Sequence, residues 1–402
     1  MYGAVALSLS EMAARYPTAG GQYHWTALLA PSKWKRGLSY CCGSINVIGR
    51  VAMTASIVYI VAQLSHAMIA FYNPSYKIER WHIFLSYQVL NIIILTYNVY
   101  FLNKAPWTHK AGFIISLASF FVISITCLAR THPKQSNTYV WSNFINHTGW
   151  ESNGLVFLLG LINPTLGFGG LDGAVHLAED SVSATKTVPQ ALCYSLVIGF
   201  ATSFFFVVSM LYCVRDIDTA IASRTGVPIY EFWFQATRSR TAATVFMASM
   251  TTAAFIAAIG SVQSSSRLTW SFARDDATIF ASYLKLTNGE LGCPVWSLLF
   301  NAFGLLVLGC VYLISSSAFN VFISTAMITE LISFAFPAAL LMYRSRHQRY
   351  LPKGSPFNLG KFGWLINAMV VGWAAFLIII FSFPVQMPAT PGSMSESVPF
   401  AT

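Results

Sequence analysis

The sequence predicts an all-α integral membrane protein, a bundle of helices lying in a bilayer, and three observations carry that prediction. Of the 402 residues 55% are hydrophobic and only 9% charged, where a soluble domain carries about a quarter charged residues. The apolar residues gather into nine stretches long enough to cross a hydrocarbon core of about 30 Å, which takes about 20 residues of helix. The polar and glycine-rich chemistry that remains is concentrated in three segments beside or within those stretches. This composition excludes an ordinary soluble enzyme, a disordered chain and a disulfide-rich secreted module. Lys and Arg number 24 against 14 Asp and Glu. They do not cluster on a soluble face, so no nucleic-acid partner is expected.

In chain order, Tyr2 to Leu9 is an apolar run too short to span and without the basic flank of a signal peptide, so it reads as the end of a helix. Within the leading segment 1–37, Pro17 ends a helix and Gly20 and Gly21 permit a tight backbone path. Spans are expected at 38–72, 82–102, 111–129, 154–172, 189–213, 241–263, 294–315, 318–343 and 362–383. The first would be roughly 52 Å long as a helix and must tilt or project from the bilayer. In the fourth, Gly160, Gly167, Gly169, Gly170 and Gly173 accompany Pro164. Each interior glycine costs about 1 kcal/mol relative to alanine, so the helix should break near Gly167–Gly170. Such a break is tolerated in a membrane only inside protein or beside a wet cavity. The polar stretch 384–402 follows as a tail, and the whole of 1–402 reads as one transmembrane domain.

Orientation follows from the basic residues between spans. With the leading segment in the cytosol, inside segments hold fifteen Lys and Arg and outside segments eight, which places the N-terminus inside and the tail outside. The sequon Asn146-His147-Thr148 then faces outside, where Asn146 is a candidate glycan acceptor. The seven cysteines show no repeated metal-ligand spacing and read as small buried hydrophobes. No metal site, cofactor, phosphate loop or nucleophile elbow is visible, and no catalytic residue is assigned.

Asp172 lies two residues beyond the expected break. It is a functional candidate by its depth and equally a candidate cap for the second half-helix. His176 reads as a packing or interfacial residue. Arg50, inside the first span, would cost about 2.5–3.5 kcal/mol unpaired, so it needs Asp172, Glu330, a solute carboxylate or an interface to reach. Arg267 and Arg274, beside Asp275, suit a helix end held by ion pairs.

Three segments also carry a resemblance. The stretch SLSEMAARYPTAGGQYHW at Ser8–Trp25 resembles the link between the second and third spans of the amino acid–polyamine–organocation permeases, in particular the fungal amino acid, GABA and choline permease branch. GFGGLDGAVHLAEDSVSATKTVP, from Gly167, is similar to that branch's broken sixth span. SSSRLTWSFARDDA, from Ser264, is similar to its eighth-span motif, usually Trp-Ala-Phe-Ala-Arg-Asp-Gly. The resemblance implies a leucine-transporter-like inverted-repeat bundle in which the nine spans are the family's third to eleventh. It further implies that the first span, most of the second and the twelfth are missing, so that half of a site between the first and sixth spans is absent.

On this resemblance the chain is a secondary transporter, not an enzyme, for an amino acid, GABA, polyamine or choline-like solute, coupled to protons. Its rival is a truncated, transport-dead relative acting as a sensor or partner, or an incompletely read gene. The membrane is the plasma membrane first, a vacuolar or other endomembrane second, and lipid, solute and protons are the partners. Phe168, Gly169, Gly170, Leu171 and Asp172, with Asn46 and Arg50, are the expected solute-binding residues. Glu11, Thr18, Gly20, Gly21, Glu179, Arg267, Arg274 and Asp275 are the expected cytoplasmic gate, and Glu330 the coupling candidate. Three departures bear on the solute: Ser44 and Arg50 replace a usual tryptophan, Asp276 a usual glycine and Glu330 an uncharged residue. Arg50 is expected to favour anionic or zwitterionic solutes.

Overall fold

The computed structural model describes residues 1–101, 104–146, 148–351, 354–381, 383 and 387. It covers only Met387 of the tail 384–402, and it omits His147 of the sequon. Among these residues the regular structure is helical, with a single isolated bridge, Asn288 to Cys293, and no strand.

A buried helix α1, Tyr2–Arg15, opens the chain, followed by α2, Gln22–Leu29. The second is a difference from expectation: part of the leading segment is helix rather than loop. Its eight residues are too few for a span, so hydropathy alone does not reveal it. Gly21 starts it at φ +51°, where a Cβ would sit 2.9 Å from Val175, and Trp25 locks it by donating to the Tyr16 carbonyl at 2.9 Å.

The long α3, Lys35–Tyr72, is the central post. Its 38 residues give about 57 Å, so it does outreach the bilayer. Of its most apolar window 72% is buried, against 11% for the peripheral α10. Glycines let neighbours approach: a Cβ at Gly43 would overlap the Phe272 ring and one at Gly49 would overlap the Thr329 hydroxyl. Small residues at such crossings are how membrane helices pack closely without a hydrophobic drive between them.

Next come α4, Arg80–Tyr100, and α5, Trp107–Arg130, then the short α6, Asn137–Ser142. The expected fourth span is not one helix. It is α7, Asn153–Gly160, and α8, Ile162–Gly167, followed by a non-helical turn and the one-turn α9, Gly173–His176. Beyond it lie α10, Ala184–Cys213, and the short α11, Ile217–Ile221, and α12, Pro228–Thr237.

Helix α13, Arg240–Arg274, runs eleven residues past its expected end at 263. The serines there defeat a hydropathy criterion but not the helix, because Ser264 and Ser266 return their hydroxyls to the carbonyls of Ser261 and Gln263. The chain closes with α14, Ala281–Leu284, α15, Val295–Ile314, α16, Ser316–Tyr343, and α17, Phe362–Ile380. Among the described residues eight helices are thus long and apolar enough to cross a membrane, and the ninth expected span is the broken one.

Among the described residues the core has four parts. One joins α1, α2, α10, α16 and α17 and reaches Met53 of α3; a second lies between α3, α4, α13 and α15; a third lies between α3, α5, α12 and α13; a small fourth, with Tyr23, Cys42 and Phe272, joins α2, α3 and α13. Outward faces carry Val89, Ile92, Ile114, Val197 and Phe200, all exposed, as a lipid-facing surface requires. All seven cysteines are free. Cys42, Cys127, Cys213 and Cys293 are buried as expected, Cys193 is half-buried, and Cys41 and Cys310 are exposed on outer helix faces, a correction to their reading as buried hydrophobes.

Candidate functional site

The backbone breaks where the glycines cluster. Helix α8 stops at Gly167, with the Phe168 N–H donating to Thr165 and the Gly169 N–H to Leu166 at 3.3 and 3.1 Å. Gly170 then takes φ +80°, a left-handed conformation that only glycine adopts freely. Its absent side chain leaves room for Arg50, since a Cβ there would lie 3.1 Å from the guanidinium. At Gly169 a Cβ would lie 2.8 Å from Met53. Leu171 and Phe168 pack against the core beside the turn, and Phe168 stacks on Tyr2 with ring centroids 5.5 Å apart. Those two rings line a cavity of about 530 Å³ together with Leu161, Pro164, Leu196 and Trp373.

A fully buried ion cluster adjoins the break. Asp172 stands at the N-cap of α9 but makes no capping bond; its carboxylate faces inward. Oδ2 accepts from Gln22 at 2.7 Å and lies 3.0 Å from His176 Nε2, while Oδ1 is 3.2 Å from Arg50 Nη1. The same Nη1 is 3.9 Å from Glu330, and Nη2 donates to Ser264. Glu330 Oε1 in turn accepts the Gly170 N–H at 2.7 Å, and Asn46 donates to Gln22 at 3.2 Å. Arg50, Asp172 and Glu330 are each at most 3% exposed.

Of the partners open to Arg50, the fold supplies both protein carboxylates. Arg50 does not stand free to attract an anionic solute, and the N–H groups of Gly169 and Gly170 are already bonded within the protein. The sequence offers both carboxylates as partners for Arg50 but not the bond between Glu330 and Gly170, which lie 160 positions apart. Five buried polar atoms here have no hydrogen-bond partner among the described residues: Glu330 Oε2, Asp172 Oδ1, Asn46 Oδ1, Arg50 Nε and the Tyr2 hydroxyl.

A second cluster closes the end of the bundle that the charge bias assigns to the cytosol. Arg274 grips Glu179 through two hydrogen bonds of 2.9 Å. Glu179 also accepts from the Ala19 N–H at 3.1 Å and from Thr18 at 3.4 Å. Arg267 pairs with Asp180 at 3.0 Å, and Asp275 accepts from Tyr23 at 3.0 Å. Gly20 and Gly21 form the turn between them, the Gly20 N–H bonding back to Thr18. Asp276, where the resemblance has glycine, takes φ +54°, which explains why glycine is usual at that position, and it pairs with Lys285 at 2.9 Å.

Glu11 is not part of this cluster. It holds Arg346 through bonds of 2.7 and 2.8 Å and accepts the Leu359 N–H at 3.0 Å, tying α1 to the segment between α16 and α17.

Partial burial raises the Glu179 carboxyl, but the bonds from Arg274, Ala19 and Thr18 outweigh it and hold the group below the usual carboxylate range. Its contribution is therefore complete above the ordinary carboxylate value and is lost as pH falls through the lowered one. Glu179→Gln removes the charge at every pH. Purified protein carrying this change and a cysteine at Thr18 is expected to react with a thiol reagent several-fold faster than the Thr18→Cys protein alone at neutral pH. Equal rates would show that the pair does not hold the loop.

The sequence reading missed three residues. His176 was assigned to packing, yet it bridges the Ala19 carbonyl at 2.8 Å and Asp172, linking the two clusters. Gln22 and Ser264 bear directly on Asp172 and Arg50. Both stood inside motifs already singled out, which was the only available signal. The expected glycan acceptor Asn146 is half-buried and donates to the Trp150 carbonyl at 2.8 Å.

Comparison with known proteins accords with this architecture. The family model described as amino acid permease matches residues 1–400. The choline transporter of Saccharomyces cerevisiae is 34% identical over 392 residues, covering 97% of this chain and 69% of its own. The swainsonine transporter of Arthroderma benhamiae is 31% identical over 396 residues, with 98% and 77% covered. An amino-acid permease of Neurospora crassa is 25% identical over 401 residues, with 98% and 72% covered. With its helices, its broken span and its matched family model, the chain belongs to the amino acid permease family and is a multi-pass membrane transporter, not an enzyme.

Proposed function

We propose that the protein moves a small amine or amino acid solute, of the amino acid, GABA, polyamine or choline type, across the plasma membrane together with protons. The observation that carries this reading is the buried Arg50–Asp172–Glu330 cluster set against the Gly169–Gly170 break. Ionisable groups at membrane depth are costly and mark solute or proton pathways, and transporters place their sites at broken helices near the midplane. Glu330 is the coupling residue in this reading: as an acid that holds the Gly170 N–H, its protonation loosens the turn. The cluster of Thr18, Gly20, Gly21, Glu179, Arg267, Arg274 and Asp275 forms the inner gate, with Glu11 fastening α1 outside it. Named relatives that carry choline or amino acids support the solute range.

The test is binding and uptake by the purified protein. In nanodiscs it is expected to bind at least one of labelled choline, putrescine, GABA or alanine saturably. In proteoliposomes an acid-outside gradient is expected to stimulate uptake of that solute. Absence of saturable binding for all four would overturn the solute range. Uptake indifferent to the gradient would remove proton coupling alone.

A further inference from the structure

The structure assigns to Glu330 the place of a solute carboxylate: it fills the anion position at the Gly169–Gly170 break with a side chain of the protein, so the site takes an amine cation that carries no carboxylate. This rests on the transport reading above and narrows its solute class.

Three observations carry it. First, the backbone donors of the turn are spent. Gly170 N–H bonds Glu330 Oε1 at 2.7 Å and Gly169 N–H bonds Leu166 at 3.1 Å. A solute carboxylate would have to displace Glu330 from the Gly170 N–H. Second, the cation that could hold a solute anion is also spent, because Arg50 lies 3.2 Å from Asp172 and 3.9 Å from Glu330. A carboxylate brought to this place meets the Asp172 carboxylate and finds no free donor, which selects against it.

Third, what remains unsatisfied suits a cation. Glu330 Oε2 is buried and receives no N–H or O–H donor from the described residues, and the Asp172 carboxylate is its close neighbour. The Tyr2 hydroxyl is also buried without a partner among the described residues. The Tyr2 ring lines the adjoining cavity with Phe168, and aromatic faces attract alkylammonium groups. Two aromatic rings therefore line the cavity beside the break.

Matched solutes test this directly. Choline and glycine betaine differ in a hydroxymethyl group against a carboxylate, and putrescine and GABA in an aminomethyl group against a carboxylate. The purified full chain is expected to bind choline and putrescine at least about tenfold more tightly than betaine and GABA, the factor expected from a like-charge penalty of one good hydrogen bond. Glu330→Ala empties the position and is expected to weaken the two cations and strengthen betaine or GABA. Glu330→Gln keeps an acceptor for the Gly170 N–H but no charge, so it is expected to weaken the cations without gaining the carboxylates.

A parent protein that binds betaine as well as choline overturns the proposal, as does a Glu330→Ala protein with the parent's preference. A parent that binds none of the four overturns the transport reading itself, a result distinct from both. The comparison within the parent protein needs no variant to fold.

Discussion

Gly170→Val is expected to abolish solute binding, by about 100-fold or more per folded protein. Gly170 has φ +80°, where a β-branched residue is a genuine outlier. Its new Cβ would stand 3.1 Å from the Arg50 guanidinium. The turn must relax, and relaxation takes the Gly170 N–H off Glu330 and pushes Arg50 from Asp172. A change of that size at the site is worth about 2.7 kcal/mol in binding. Arg50 of α3 and Glu330 of α16 meet the turn here, so the yield of folded protein is expected to fall as well, and binding is compared per folded protein. Gly160→Ala is the control, because a Cβ there meets nothing within 4 Å; binding within about twofold of the parent is expected for it. The pair is read by labelled-solute binding alongside fluorescence size-exclusion profiles. If Gly170→Val binds like the parent, the broken segment serves packing alone.

The spans were legible because hydropathy is a local property: a run such as Val295–Ile314 announces itself without reference to any other part of the chain. The break was legible for the same reason, since five glycines and a proline within one span cannot support a regular helix. Helix α2 and the far end of α13 were not, because both are stabilised by burial and hydrogen bonds rather than by apolar composition. Trp25 reaches Tyr16, and Ser265 reaches Asn301 on α15.

The site was legible only in outline. Charge at depth pointed to Arg50, Asp172 and Glu330 as mutual partners, since each would be costly alone. The order of contacts among them was hidden. Nothing in the sequence distinguishes a Glu330 that waits for a proton or solute from one that already holds a backbone N–H across 160 positions. His176 shows the same limit, for its role depends on facing Ala19 and Asp172 at once.

Arg50→Leu is expected to be the most destabilising single substitution in the protein. Arg50 is 3% exposed and is the cation for two carboxylates that are themselves buried. Breaking a buried ion pair by removing one partner costs about 3–5 kcal/mol, because the other charge stays behind. Returning the family's usual tryptophan at this position carries the same penalty. Arg50→Trp alone should therefore lose folded protein before it reveals any change in solute preference. Removing the stranded charge should restore part of the loss. Arg50→Leu with Asp172→Asn is expected to be more stable than Arg50→Leu, with a coupling of about 1–3 kcal/mol between the two positions.

The coupling with Glu330→Gln should be smaller, since that contact is 3.9 Å against 3.2 Å for Asp172. Arg50→Lys should fall between parent and Arg50→Leu, because an ammonium is a single point charge that cannot face Asp172, Glu330 and Ser264 in the planar arrangement of a guanidinium. Thermal unfolding in detergent, followed across this set, separates the outcomes. If Arg50→Leu melts with the parent, or the double changes are simply additive, the three residues do not form one electrostatic unit. Arg50 would then be an isolated arginine reaching an interface.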